Sequence, residues 1–334
     1  PNTGLDTSVK KFYNLKKIPK INKIKFFNKF PLGISYYLYS IFSVIHAMKF
    51  KFDFIITRNL FTLLLLTLFR KKTIIEIHHD LSIESRIVRF IFYRFNIFNN
   101  KNIIKIIAIT KNVKKFLIND FNINPSKIEI IPSASDLKFT FNVLKKKQKL
   151  NIGYFGSLEQ GKGSDFVCKL SKLDLKNNYF IFGGTQEDVN KIKKNYNNFN
   201  LKINSYKPYS YISKLISKMD VLLMPSNKRL IKATGGVGNL SKFTSPLKLF
   251  DYLTSGKVII SSKLNVFNEI IKNNVNCIMI EKLNTIHWLR VINQIPLNLY
   301  KINQIKKNAY NLSKKYTYYK RASAILKNIK FNQL

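Results

Sequence analysis

Short apolar runs that end in small or polar side chains alternate along this chain with longer helical patterns, and few arrangements other than parallel βαβ units accommodate that rhythm. In the first half the strand-like runs are 52–57 (FDFIIT), 73–78 (TIIEIH), 103–110 (IIKIIAIT) and 128–133 (IEIIPS). Helices are predicted between them, over 83–95 and 111–119 for example. Residues 139–149 (FTFNVLKKKQK) are polar and charged without a clear period, as an interdomain linker would be. A second series of runs lies at 150–154, 179–182, 201–204, 221–224, 258–261 and 277–280, each separated from the next by a helical stretch. The predicted fold class is α/β: two Rossmann-like, doubly wound domains facing a cleft. The boundaries are 1–143 and 144–315, with a terminal helix in 316–334 packing back toward the first domain. A length of 334 residues gives each domain its own core.

The charge is extreme, +41 from 58 basic and 17 acidic residues. Nucleic-acid binding is the first class to consider. Against it, the basic residues are 50 lysines and only 8 arginines, the poorer choice for bidentate reading of bases and phosphates. They are spread along the whole chain, and Lys, Asn, Ile, Phe and Tyr are inflated together, as AT-rich codon usage produces. No specific nucleic-acid partner is expected. The remaining pull of so many cations is toward phosphate-bearing substrates and an anionic membrane surface. The segment 32–48 (LGISYYLYSIFSVIHAM) falls short of the roughly 20 residues a spanning helix needs. It and 60–69 are read as helices packed in a core, with interfacial contact by 32–48 as the lesser option. Cys168 and Cys277 lie in apolar surroundings and read as buried free thiols. Neither they nor the four scattered histidines form a metal-ligand cluster.

Three constellations carry chemistry. In SPLKLFDYLTSG, Ser245 suits an N-cap, Pro246 the first helical position, and Gly256 the left-handed position past the end. The free N–H groups near Leu247 and the positive end of the helix dipole make an anion site, to which Lys248 adds a full charge. Asp251 lies about 4.5 Å further along the axis, where its carboxylate can accept from a ribose diol. On spacing alone, an ordinary capped helix with a surface Lys–Asp pair serves equally well. In GYFGSLEQGKG, a strand runs into Gly156 and Ser157, and Lys162 stands between two glycines that let a backbone approach a ligand. It has neither Walker nor dinucleotide spacing, and on its residues alone a plain turn is the better explanation. In EIHHD, His78 ends a buried strand, where open α/β sheets place ligands; on these residues alone a His pair satisfied by backbone or by Glu76 and Asp80 is the favoured reading. The long connection 227–244 holds Gly235, Gly236 and Gly238, and reads as a mobile loop over a site or a variable surface loop.

Taken in order, these pieces resemble the family-4 retaining glycosyltransferases of GT-B fold. FDFIITRN with KKTIIEIHHD is similar to the family's "pDviytrn … vvfElHd", and IIAITKNVKKFLINDFNINPSKIEIIPSASD to its "iiaiS … kI.viPnGvD". LNIGYFGSLEQGKGSDF, SYKPYSYISKLISKMDVLLMPS, SPLKLFDYLTSGKVIISSKLNVFNEII and NLSKKYTYYKRASAIL match the rest of the pattern in register. The resemblance implies transfer of a sugar from a nucleoside diphosphate to an acceptor hydroxyl with retention of configuration. It implies no cofactor beyond the nucleotide-sugar donor and no metal. Gly156, Ser157, Lys162, Ser245, Pro246, Leu247 and Lys248 would bind the donor diphosphate, Asp251 its ribose, and His78 would act at the donor sugar or leaving phosphate. A glycan or lipid-linked acceptor is implied, in surface polysaccharide or lipopolysaccharide assembly, with a cytoplasmic location, peripheral on the inner face of the plasma membrane as an option.

The departures are specific. Ser157 stands where the family often has Arg, Asp251 where it usually has Glu, and Phe243 where the first acid of its E-x7-E pattern would fall. The "PNG" turn reads Pro132, Ser133, Ala134. Residues 1–27 already resemble the stretch after the family's opening βαβ unit, so an N-terminally truncated, incomplete first domain is expected, whose lost loop would leave the chain inactive. A GT-B nucleotide-sugar epimerase and a non-enzymatic basic nucleic-acid or membrane-binding protein are the competing classes.

Overall fold

The computed structural model describes residues 32–233 and 238–329. The expected loss of an opening βαβ unit, and Gly235 and Gly236 of the long connection, lie outside them. The chain divides into two compact units, each α/β with a wholly parallel sheet.

One unit takes in residues 32–132 and 322–329. Its sheet runs β1 (Ile55–Thr57), β2 (Thr73–Ile77), β3 (Ile103–Ala108), β4 (Ile128–Ile130), in that spatial order. Helices α1 (Leu32–Met48), α2 (Leu60–Leu68), α3 (Arg86–Arg94) and α4 (Lys111–Phe121) punctuate it. Polar side chains start three of these: Asn59, Ser85 and Thr110 each accept from an N–H in the first turn of α2, α3 and α4. Helix α2 buries Leu60, Leu63 and Leu66, as expected of a core helix. Helix α1 does not sit in a core: Ile34, Ile41, Phe42 and Ile45 are exposed, and its buried positions are Ser35, Ser40 and Val44. Its sequence is too uniformly apolar to tell a two-sided core helix from a one-sided one. No described helix is long and apolar enough to cross a membrane. Helix α11 (Tyr318–Leu326) ends on Lys105, whose Nζ donates to the carbonyls of Ala324, Ile325 and Lys327. A cation thus satisfies a helix C-terminus that has no glycine cap.

The other unit, Ser133–Arg321, carries six strands: β5 (Asn151–Phe155), β6 (Asn178–Phe182), β7 (Leu201–Asn204), β8 (Val221–Met224), β9 (Val258–Ser262) and β10 (Ile278–Ile280). Their spatial order, β7-β6-β5-β8-β9-β10, reverses direction between β5 and β8. In open α/β sheets ligands bind outside the carboxyl ends of strands at such a switch point. The helices are α5 (Ser164–Leu173), α6 (Gln186–Asn195), α7 (Tyr209–Ser217), α8 (Leu247–Ser255), α9 (Thr285–Gln294) and α10 (Leu299–Ser313). Strands β8 and β9 are buried at every position, which is why they read as unbroken apolar runs. Cys168 and Cys277 are buried free thiols; burial pushes the Cys168 thiol up to about 12.

The only tryptophan of the chain, Trp288, is fully buried in this unit against Phe166, with ring centroids 5.1 Å apart. Its fluorescence therefore reports this unit alone. Phe166→Ala should lower the unfolding free energy read by Trp288 emission by about 3 kcal/mol, the usual cost of a phenyl-sized cavity. Leu173→Ala, at an exposed position of the same helix, should change it by less than about 0.5 kcal/mol. Equal effects would mean that the described core packing is wrong.

Candidate functional site

At the switch point, strand β5 delivers Tyr154 with its hydroxyl fully buried. The hydroxyl lies 2.8 Å from the carbonyl oxygen of Ser157 and 3.2 Å from that of Lys162, so it pins both ends of the 157–162 loop. The face of the same ring carries the ammonium of Lys248, 4.3 Å from the centroid. Lys248 also reaches the Lys162 carbonyl, at 3.4 Å. Gly156 lies alongside: a Cβ there would come 3.6 Å from Lys248 Nζ. Lys162 in turn donates from Nζ to Ser157 Oγ, at 2.7 Å. Gly156, Ser157, Lys162 and Lys248 are therefore gathered into one basic cluster around a tyrosine that has the sequence context of plain core.

The glycines of this loop have a different purpose from the one expected. A Cβ on Gly161 would lie 1.8 Å from the Leu230 carbonyl oxygen, and one on Gly163 2.3 Å from that of Pro225. Both have left-handed backbones, φ +82° and +101°. They admit the β8–α8 connection, not a ligand. Backbone bonds from Asn227 N–H to Gly161 and from Lys232 N–H to Gln160 stitch the two loops together.

Helix α8 begins one residue later than the sequence suggested. Pro246 is the N-cap, Leu247 the first helical residue, and no side chain caps the end. Ser245 instead faces Ser133: its Oγ accepts from Ser133 N–H at 3.2 Å, and its carbonyl accepts from Ser133 Oγ at 2.8 Å. Among the described residues the N–H groups of Leu247 and Lys248 have no acceptor. Those donors and the dipole of α8 add to the charge of Lys248 and Lys162. One turn along, Asp251 accepts from the Tyr209 hydroxyl at 3.2 Å, and that hydroxyl lies 3.5 Å from Ser135 Oγ. Ser133, Ser135 and Tyr209 thus position both halves of the α8 start. Spacing along the chain gave no sign of them, although Ser133 occupies the slot of the family's "PNG" turn.

The electrostatics are those of buried charge. Burial, aided by the neighbouring Lys162, lowers the Lys248 ammonium to about 7, and burial also lowers Lys162. Burial raises Asp251 to about 6, partly opposed by the Ser135 and Tyr209 hydroxyls. An anion seated between the two lysines would restore the charge that desolvation disfavours.

His78 belongs to the other unit. Its Nδ1 lies 3.0 Å from Arg58 Nη2, and its Nε2 meets Glu76 Oε1. Arg can only donate, so Nδ1 is the acceptor and the Nε2 proton points at the carboxylate. Both ring nitrogens are engaged. The adjacent His79 accepts from Leu81 N–H at Nδ1, and burial lowers it to about 4, which keeps it neutral.

Two sequence profiles match the chain: Glycosyltransferase Family 4 over residues 13–139 and Glycosyl transferases group 1 over residues 136–312. No curated protein matches the sequence. Among solved structures, the chain is similar to Anabaena HepE in complex with UDP-glucose, at 16% identity and TM-score 0.65, over 86% of this chain and 80% of that one. A glycosyltransferase from Rickettsia africae matches at 16% identity and TM-score 0.64, over 92% and 85%. WaaG, a glycosyltransferase involved in lipopolysaccharide biosynthesis, matches at 14% identity and TM-score 0.54, over 78% and 75%. At these identities the likeness is one of fold.

The depressed Lys248 gives any anion binding at this point a pH dependence of definite sign. A diphosphate bound there would raise its pKa above about 7, so between the free and bound values binding would take up a proton and weaken as pH rises, by up to about tenfold per unit. Calorimetry with UDP at pH 8, in two buffers of different ionisation enthalpy, should show net proton uptake by the parent chain. Lys248→Met should abolish that uptake; uptake that persists in the variant would refute the assignment.

Proposed function

The chain belongs to the glycosyl transferases group 1 family, and from that premise we propose that it moves a sugar from a nucleoside diphosphate to an acceptor hydroxyl with retention of anomeric configuration and without a metal. The observation that carries this reading is the pairing of Lys248 and Lys162 around Tyr154 at the start of α8, with Asp251 one turn along. The donor diphosphate lies against Gly156, Ser157, Lys162, Ser245, Pro246, Leu247 and Lys248, and the ribose diol donates to Asp251. On this reading residues 144–315 bind donor and 1–143 form the acceptor side.

In the transfer, the bond from C1 of the sugar to the diphosphate oxygen breaks as the acceptor oxygen bonds C1 from the same face. The acceptor's proton passes to an oxygen of the leaving diphosphate. Negative charge grows on that diphosphate in the transition state, where two ammonium groups and the free N–H groups of α8 stabilise it most. These cations supply the positive charge that a metal ion provides elsewhere. His78 acts at the donor sugar or leaving phosphate. Glu76 and Arg58 hold its ring in the tautomer with the proton on Nε2. The similarity to HepE with UDP-glucose supports a UDP-linked hexose as donor. The similarity to WaaG, a glycosyltransferase involved in lipopolysaccharide biosynthesis, supports a role in surface polysaccharide or lipopolysaccharide assembly. On this reading the acceptor is a glycan or a lipid-linked sugar and the chain works in the cytoplasm.

Donor binding and product stereochemistry test this together. Lys248→Ala should weaken UDP-sugar binding roughly 100-fold, about 2.7 kcal/mol, as a charge-assisted contact predicts. Asp251→Asn should weaken it by about tenfold. Proton NMR of the first product formed should show the donor's own anomeric configuration. An inverted product would end the retaining proposal, and unchanged binding in both variants would displace the site.

A further inference from the structure

Helix α3 carries a surface that the donor site does not use. Three of the chain's 8 arginines, Arg86, Arg89 and Arg94, fall within its nine residues, and none of its 50 lysines does. Codon bias that swells lysine everywhere else does not produce such a cluster. Among the described residues, no carboxylate pairs with any of the three. The helix is seated by Val88 and Phe92, while Ile87, Phe90 and Tyr93 on its other side stand 72%, 63% and 69% exposed, with Phe95 just past its end at 66%. At 100° per residue, Phe90 lies at the centre of that outer face, between Arg86 and Arg94 and flanked by Ile87 and Tyr93.

We propose that the outer face of α3 docks this chain on an anionic phospholipid bilayer, with Ile87, Phe90, Tyr93 and Phe95 entering the headgroup–acyl boundary and the three arginines pairing with lipid phosphates. An exposed helix with interleaved aromatic, aliphatic and cationic side chains matches both layers of that boundary, and long arginine side chains reach back to the headgroups as the rings sink. Nucleic acid fits less well. It rewards flat stacking rings and phosphate contacts, but gains nothing from the exposed aliphatic Ile83 and Ile87. This assignment is independent of the transferase reading.

The experiment is sedimentation of the full chain with vesicles of 30% phosphatidylglycerol in phosphatidylcholine, at about 0.15 M salt, where the Debye length is near 8 Å. Ile87→Ser with Phe90→Ser leaves the net charge unchanged and should weaken partitioning at least about tenfold. Leu173→Ser with Leu175→Ser, exposed apolar positions elsewhere, should stay within about twofold of the parent. Arg86→Gln, Arg89→Gln and Arg94→Gln together should weaken it more than the same change at exposed Lys169, Lys172 and Lys176. Phe90→Trp provides a readout that needs no loss of binding: its emission should shift to the blue on adding vesicles, against the constant signal of buried Trp288. The proposal is overturned if the parent does not bind, if control and test variants weaken alike, or if the Phe90→Trp emission does not move. It is equally overturned if Ile87→Ser with Phe90→Ser impairs binding only to an oligonucleotide.

Discussion

The Ser133–Arg321 unit turns on one residue, Tyr154, placed by the last residues of β5 at the point where the sheet reverses its order. Its hydroxyl closes the 157–162 loop at the Ser157 and Lys162 carbonyls and its ring face carries the Lys248 ammonium, so two lysines 86 positions apart in sequence are brought to one buried side chain. Neither lysine is comfortable there. Burial disfavours both charges, and the Lys162 charge adds to the penalty on Lys248. The cost is met by packing elsewhere in the unit, as preorganised electrostatic sites require.

The surrounding features serve to hold that pair still. Gly161 and Gly163 let the β8–α8 connection lie directly on the 157–162 loop, and backbone bonds fasten the two. Ser133 and Ser245 fix the entry into α8, and Ser135 and Tyr209 hold Asp251 one turn further on. The same few residues thus aim the helix start, its cation and its acid.

Much of this is legible in the amino-acid sequence. The parallel α/β architecture shows in the alternation of runs, because strands buried on both faces leave unbroken apolar stretches such as VLLM and VIIS. The order of motifs is enough to indicate the family. What spacing does not show is contact across the sheet. Tyr154 reads as core in LNIGYF, since nothing local says that its hydroxyl and ring face serve residues 157 to 248. Ser245 has the composition of an N-cap, but its hydroxyl is taken by Ser133, a partner 112 positions away. Glycines flanking Lys162 look like ligand clearance and are instead clearance for another loop. Helix α1 is misjudged from sequence because an almost wholly apolar segment carries no phase to say which side is covered.

A crystal structure of the chain with UDP bound tests the central claim most directly. The account predicts that the β-phosphate lies within about 3 Å of Lys248 Nζ and of the Leu247 N–H, with the ribose diol on Asp251. A diphosphate bound away from the start of α8, with Lys248 still covered by the Tyr154 ring, would contradict it.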